Sequence, residues 1–331
     1  MSLDAALAPF IAAGHVPGMA YAVIDAQGRF ASGALGKRRL GSDAAMTDDT
    51  IGWLASLTKL VTSTAAMQLV EQGRLALDSS VEALLPELPP RQVLESLNAA
   101  GEAVLRPVRG PITLHHLLTH TSGFSYDTWN KALLTYARQH DIPRIGTCKL
   151  KALDLPMLFD PGKRWEYGMS TDYVGLLVER ASGLSLEEYI QQHICAPLGL
   201  RDLGFVLRPD QTARLASMHH RQPDGSLQVM QHEVPQQPEF FMGGGGLYGS
   251  ITDFTRFLGL FLQGGQGVLK PETIALMFEN QIGDLNANGF PAGAAPNTGE
   301  RRYFPGRRWK FGYGLALNPE ATAQGRAAYS G

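Results

Sequence analysis

The chain has little of several features that would assign it to a specialised class of protein. Its only cysteines, Cys148 and Cys195, lack the paired spacing of metal ligands. No apolar run reaches the roughly 18 residues of a membrane span, and no Gly-x-Ser-x-Gly elbow of an α/β-hydrolase occurs. Basic and acidic side chains number 29 and 31, without a basic block. This balance disfavours nucleic acid as a partner.

What is present is the composition of a folded protein with an ample core. The 331 residues are 44% hydrophobic and 18% charged, which predicts one large or two modest domains. The start of the chain lacks the basic segment and long apolar segment of a signal peptide, and we expect both cysteines to be reduced thiols. The sequence therefore predicts a cytoplasmic protein, and it leaves the oligomeric state open.

Apolar periodicity and turn residues predict helices that alternate with hairpins. Hairpins are expected across 19–33 and 218–231, where Asp-x-x-Gly and Pro-Asp-Gly form turns. The stretch 311–317 is expected to be one strand, and 284–302 a long surface loop.

The segment Trp53–Leu60 opens a long apolar helical run that extends to about Gln72. Ser56 and Lys59 are three residues apart, so on a helix they share one face. A serine hydroxyl becomes a good nucleophile only when a nearby base takes its proton, and a desolvated lysine can be that base. The alternative is an N-terminal serine beside a solvated lysine. No other serine in the chain has a lysine three residues later.

Tyr167 is the best candidate for a third group that moves a proton. A phenol beside an ammonium ionises more easily and can then act as a base. Tyr167 follows the Pro161–Gly162 turn and precedes a predicted helix, where a side chain can project into a cleft. An ordinary core tyrosine is the alternative.

Two histidines, His116 and His120, are four residues apart and could suggest a metal pair. No glutamate stands between them in the zincin arrangement, and no third ligand is evident. We interpret both as structural residues near a helix end, and we predict no metal.

Four motifs occur in an order and spacing that is similar to those of one superfamily. They are Ser56–Lys59, Leu117–Phe124, Pro161–Gly162 before Trp165–Tyr167, and Gly243–Gly246. The chain resembles the serine β-lactamases and penicillin-binding proteins, most closely class C β-lactamases and family VIII carboxylesterases. The similarity runs from the Met19 hairpin to the Phe311 strand.

This resemblance implies an α+β fold of the β-lactamase/transpeptidase type, with an antiparallel sheet flanked by helices. One domain would combine residues 1–75 and 245–331, and a mainly helical domain would comprise 76–244. The active site would lie in the cleft between them.

The resemblance also implies a mechanism. Ser56 would attack an ester or lactam carbonyl to form an acyl-enzyme, which water then hydrolyses. Lys59 would help to deprotonate Ser56 and hold Tyr167 partly as phenolate, and Tyr167 would protonate the leaving group. Which of the two is the principal base stays open. No cofactor is implied, and the partner is a small-molecule ester, neither nucleic acid nor membrane.

Tyr167-Gly168-Met169 departs from the Tyr-x-Asn motif of β-lactamases and peptidases. A thioether in place of the amide removes recognition of a peptide-like group and offers apolar surface, which favours simple esters. We expect the substrate-binding residues to be Phe124, Tyr126, Asp127, Met169, Gly244 and Gly245. The four glycines, Gly243–Gly246, suggest close backbone approach to a neighbour or to a ligand.

The larger departure concerns the third motif of the superfamily, which is Lys-Thr-Gly or Trp-x-Gly on a central strand. In the superfamily that strand supplies one backbone N–H of the oxyanion hole, and Ser56 supplies the other. The chain ends at Tyr329-Ser330-Gly331, which is either a variant of this motif or lies before it. We expect the C-terminal strands of the first domain to be missing from this sequence.

Three functions compete. The first is a serine carboxylesterase acting on short-chain esters through an acyl-enzyme on Ser56. The second is a β-lactamase or D-Ala-D-Ala carboxypeptidase. The third is a non-catalytic binding protein on the same fold, for which the missing third motif is the main argument. The sequence favours the esterase.

Overall fold

The computed structural model describes residues 2–86, 91–287, 289 and 308–321. The helices are α1 (Leu3–Ala12), α2 (Thr58–Glu71), α3 (Val81–Leu84), α4 (Leu114–Leu118), α5 (Lys131–Gln139), α6 (Ser170–Ser182), α7 (Leu186–Ile190), α8 (Ala196–Leu198), α9 (Pro209–Ala213), α10 (Ile251–Leu262) and α11 (Pro271–Met277). The strands are β1 (Gly18–Ile24), β2 (Phe30–Gly36), β3 (Ile51–Trp53), β4 (Gln92–Leu97), β5 (Ala103–Pro107), β6 (Met218–Arg221), β7 (Leu227–Met230), β8 (Tyr248–Ser250), β9 (Lys310–Phe311) and β10 (Ala316–Leu317).

Helices and antiparallel strand pairs make this a mixed α+β fold. Within the described residues the pairs are β1–β2, β3–β8, β4–β5, β6–β7 and β9–β10. The pair β3–β8 joins distant parts of the chain, with Trp53 opposite Tyr248. It brings the segment before Ser56 next to the one after the four glycines. The division into domains of 1–75 with 245–331, and 76–244, stays a prediction.

Helix α2 is the central helix of the core. Eleven of its fourteen residues are buried, and a helix that is buried on all sides lies inside a protein. It packs against α6, whose buried side chains include Tyr173, Val174 and Leu177. Polar side chains of α2 connect it to other segments: Thr62, for example, donates to the Gly243 carbonyl over 2.8 Å. The start of α2 is therefore held rigidly.

Both sequence-predicted hairpins form, as β1–β2 and β6–β7. The prediction of a single strand over 311–317 is wrong, because β9 and β10 make a tight hairpin in which Gly314 has φ of +89°. That backbone region favours glycine and reverses the chain. Most of the predicted 284–302 loop, like Tyr329–Gly331, lies outside the described residues.

The cysteines and the helix lengths bear on the broad class of the protein. Cys148 and Cys195 are free and buried, and burial raises the pKa of Cys148 to about 11. Both are therefore poor nucleophiles. No helix within the described part of the chain is long and apolar enough to cross a membrane.

Candidate active site

Ser56 lies in a 3₁₀ turn, Ala55–Leu57, between β3 and α2. The sequence predicted it on the helix itself, but the regular helix begins two residues later. Ala55 has φ of +46°, a region in which a non-glycine residue is strained. Thr58 fixes this turn, because its hydroxyl donates to the Ala55 carbonyl over 2.6 Å. The Ser56 side chain is exposed, so a reactant can reach it.

Lys59 is 5% exposed and directs its ammonium towards Ser56. Lys59 Nζ lies 3.3 Å from Ser56 Oγ, 3.2 Å from the Tyr126 hydroxyl and 2.6 Å from the Gly244 carbonyl oxygen. Three acceptors match the three donors of an ammonium. The two residues thus share one face, as their spacing predicts, and Lys59 is held in place by two other segments.

Tyr167 comes to the same point from the loop before α6. Lys59 Nζ lies 4.6 Å from the centre of the Tyr167 ring, within the range of a cation–π interaction. The Tyr126 ring contacts Tyr167 edge to face, with centroids 5.9 Å apart. Ser56 and Tyr167 are more than 100 residues apart in the sequence, and both therefore lie next to the buried ammonium of Lys59.

The glycine segment, Gly243–Gly246, lies against the Lys59 ammonium, and its carbonyl groups accept hydrogen bonds from other residues of the protein. The Gly245 carbonyl accepts from Trp53 Nε1 over 2.7 Å, and the Gly244 carbonyl accepts from Lys59. A Cβ on Gly244 would lie 2.7 Å from Asp172 Oδ2, so the Asp172 side chain would have to move. Of the alternatives that the sequence left open, close approach to a protein neighbour therefore accounts for Gly244.

Asp172 is the polar residue of this site that the sequence analysis missed. It is 0% exposed at the start of α6, and its Oδ1 accepts from Gly244 N–H over 2.8 Å. Burial raises the pKa of Asp172 to about 6, and Lys59 opposes that rise. The available signal was an acid at the head of an otherwise apolar helical run. An acid there is ordinarily a helix-start residue, so the signal was weak.

The remaining predicted substrate-binding residues differ in exposure. Phe124 and Met169 are completely buried, and Phe124 stacks on Tyr173 with centroids 4.4 Å apart. Their assignment to the cleft surface is corrected, because both belong to the hydrophobic core. Tyr126 is half-buried at the ammonium, and burial together with Asp172 raises its pKa well above 10. Asp127 is buried, 3.8 Å from Arg144.

The two histidines that were considered as metal ligands have separate local roles. His116 Nδ1 accepts from Thr113 N–H in the cap of α4. His120 is buried, its ring lies 4.9 Å from that of Tyr167, and burial and Lys59 lower its pKa well below 6.5. Within the described residues no group of three or more potential ligands could hold a metal ion.

Gly168 holds the loop of Tyr167 against the Phe124 segment, and we predict that Gly168→Ala lowers the melting temperature. A Cβ at this position would lie 2.5 Å from the Phe124 carbonyl oxygen and closer still to Ser125 Cα. Because the backbone cannot give way like a side chain, the loop must shift, at about 1–3 kcal/mol. Thermal denaturation measures this loss. In Gly146→Ala, where a Cβ meets nothing within 4 Å, the melting temperature should stay unchanged; equal values for both variants would contradict the prediction.

The chain is similar to a known protein family and to several known enzymes. A family model described as Beta-lactamase matches residues 3–331. The chain is 42% identical over 236 residues to Monacolin J acid methylbutanoyltransferase of Aspergillus terreus, covering 70% of this chain and 57% of that protein. It is 33% identical to Lovastatin esterase of Penicillium rubens, covering 95% of this chain and 81% of that one.

A solved structure agrees with these sequence matches. Unliganded Simvastatin Synthase (LovD) from Aspergillus terreus superposes with a TM-score of 0.80 at 34% identity. The match covers 95% of this chain and 81% of that chain. The β-lactamase/transpeptidase-like fold that the motifs predicted is thereby confirmed.

Proposed function

This chain belongs to the β-lactamase family, and from that premise we propose that it is a serine enzyme of acyl transfer. It cleaves carboxylic esters with short acyl chains through an acyl-enzyme on Ser56. The observation that carries the proposal is the 3.3 Å contact between Lys59 Nζ and the exposed Ser56 hydroxyl. Tyr167 packs against the same ammonium.

The proposed first half-reaction transfers the acyl group to the protein. As Ser56 Oγ attacks the ester carbonyl, its proton passes to Lys59 in its neutral amine form or to Tyr167 in its phenolate form. Collapse of the tetrahedral intermediate breaks the bond to the leaving alcohol. That alcohol takes up the proton, so the base is restored and Ser56 carries the acyl group.

The second half-reaction depends on which nucleophile removes the acyl group. Water gives ester hydrolysis, whereas an alcohol gives a new ester, and the same base deprotonates either one. One relative is named an esterase and another a methylbutanoyltransferase, which supports acyl-enzyme chemistry with both acceptors. The methylbutanoyl group in that name also supports a short acyl chain.

The β-lactamase or carboxypeptidase alternative is less favoured. Tyr-x-Asn enzymes hold the acylamide side chain of their substrates with the amide of that motif. Met169 occupies this position here and is completely buried, so it offers no hydrogen bond to an acylamide. A site without that partner discriminates poorly in favour of peptide-like substrates.

An ester series tests the proposal. The full chain is assayed with p-nitrophenyl acetate, butyrate, octanoate and laurate, and with nitrocefin as the lactam. We expect butyrate to exceed laurate in kcat/KM by about 10-fold or more, and nitrocefin to be the slowest. In the presence of a small alcohol, the butyrate ester of that alcohol is expected among the products. Faster hydrolysis of nitrocefin than of every ester would contradict the proposal.

A further inference from the structure

Asp172 is a buried acid whose carboxylate faces Gly244 and Tyr126. Its Oδ1 accepts from the Gly244 N–H over 2.8 Å. Its Oδ2 meets no partner at strict geometry within the described part of the chain, but the Tyr126 hydroxyl lies beside the carboxylate and lowers the pKa of Asp172 as a hydrogen-bond donor. Burying a carboxylate is nevertheless costly. A function that needs the charge would account for its presence.

Asp172 is connected to Lys59 through a single residue, Gly244. Asp172 on α6 holds the N–H of Gly244, and the carbonyl of Gly244 accepts from Lys59 Nζ on α2 over 2.6 Å. A Cβ on Gly244 would lie 2.7 Å from Asp172 Oδ2 and 3.0 Å from the Tyr126 hydroxyl. Asp172 therefore lies too close to the Gly244 backbone to leave room for a side chain at position 244. By holding the Gly244 N–H, Asp172 fixes the Gly244 carbonyl that orients the ammonium of Lys59.

The electrostatic surroundings of Asp172 are dominated by one cation. Lys59 on α2 is the charge that lowers its pKa, against the effect of burial. The other titratable groups that face it are ordinarily uncharged near neutral pH: Tyr126, Cys148 and Tyr173, each of which has a raised pKa. Asp172 and Lys59 thus form the opposed charges of this buried region.

We propose that Asp172 is a positioning residue that holds the Gly244 carbonyl against Lys59 and supplies the buried negative charge that sets the working pH range of the base. This inference rests on the proposed acyl-transfer function. The carboxylate acts on the reaction through Gly244 and through its field at the ammonium.

The sign of the effect is the same for both candidate bases. A nearby anion stabilises the ammonium of Lys59 and disfavours the phenolate of Tyr167, so it opposes the unprotonated form of either group. Removing the charge therefore makes either base available at lower pH. The acid limb of the rate profile should move to lower pH whichever group takes the proton from Ser56.

Asp172→Asn separates charge from shape. Asparagine keeps an oxygen for the Gly244 N–H and nearly the same volume, but it has no charge. The readout is the pH dependence of the inactivation rate of the full chain by a neutral alkyl p-nitrophenyl phosphonate. We expect the midpoint to fall by about one pH unit. Asp172→Glu keeps the charge but displaces Gly244, so its midpoint should stay near that of the parent protein while its maximal rate falls.

Asp253→Asn is the matched control. Asp253 is also a buried carboxylate, and it accepts from the backbone N–H groups of Arg201 and Asp202 over 2.6 Å each. Its removal should leave the midpoint unchanged. Circular dichroism checks folding, and Asp172→Ser, which is smaller and uncharged, replaces the asparagine variant if that variant does not fold.

The outcomes distinguish this inference from the proposed function. A phosphonate adduct with an unshifted midpoint in Asp172→Asn overturns the role of the Asp172 charge and leaves acyl transfer standing. A maximal rate in Asp172→Glu equal to that of the parent protein overturns the role of Asp172 in holding Gly244. A midpoint of Asp172→Asn that moves to higher pH overturns the proposal that the negative charge of Asp172 opposes the unprotonated form of the base. The absence of an adduct on the parent protein overturns the proposed function, and this inference with it.

Discussion

Ester hydrolysis by Ser56→Ala is expected to fall by about 10⁴-fold or more in kcat/KM for p-nitrophenyl butyrate. Alanine has no oxygen with which to attack the carbonyl, so the acyl-enzyme cannot form. The Ser56 side chain is exposed, and its described contact is with Lys59. The fold should therefore survive the change, with a melting temperature close to that of the parent protein.

Ser63→Ala is the matched control for Ser56→Ala. Ser63 lies on α2, which follows the turn of Ser56; it is buried, and its hydroxyl has no hydrogen-bond partner within the described residues. Removing that hydroxyl should leave hydrolysis unchanged. If Ser56→Ala keeps the activity of the parent protein, or if both variants lose activity equally, Ser56 is not the nucleophile.

Lys59→Met is expected to lower kcat/KM by about 100- to 10,000-fold, the usual range for loss of a positioned proton-transfer group. Methionine has a similar length, but it can neither take the proton of Ser56 nor donate to Tyr126 and Gly244. Removing one of two opposed buried charges destabilises a protein by about 3–5 kcal/mol, so circular dichroism and the melting temperature are measured to confirm that the assayed variant is folded. The loss is measured with the ester series. Activity within a few-fold of the parent protein would exclude Lys59 from the mechanism.

Lys59→Arg then distinguishes the two candidate bases. Arginine keeps the positive charge but stays protonated in proteins, so it cannot act as the base. If Lys59 takes the proton, this variant should be as inactive as Lys59→Met. If Lys59 serves only as the cation beside a Tyr167 base, the arginine should restore part of the activity.

Local sequence patterns pointed to Ser56, Lys59 and Tyr167 because the chemistry that we propose for them depends on short spacings. Ser56 and Lys59 are three residues apart on a helical segment, and Tyr167 follows a Pro-Gly turn. In the structure, Ser56 and Tyr167 both lie next to the ammonium of Lys59. Local rules also predicted the two hairpins, β1–β2 and β6–β7.

Features that depend on tertiary packing could not be predicted in this way. The link from Asp172 to Gly244 spans 72 residues, and no spacing rule connects an acid on one helix to a distant glycine. Phe124 and Met169 were assigned to a cleft, but packing against α6 and the core decides their burial. The turn at Gly314 divides a run that alternation alone indicates as one strand.

The proposed nucleophile is tested most directly by intact-protein mass spectrometry of the full chain after rapid acid quench with p-nitrophenyl butyrate. The account predicts a mass increase of one butyryl group, located by proteolysis on the peptide that contains Ser56 and absent from Ser56→Ala. A butyryl group on another residue, the same adduct on Ser56→Ala, or ester turnover without any adduct even after phosphonate treatment would contradict it.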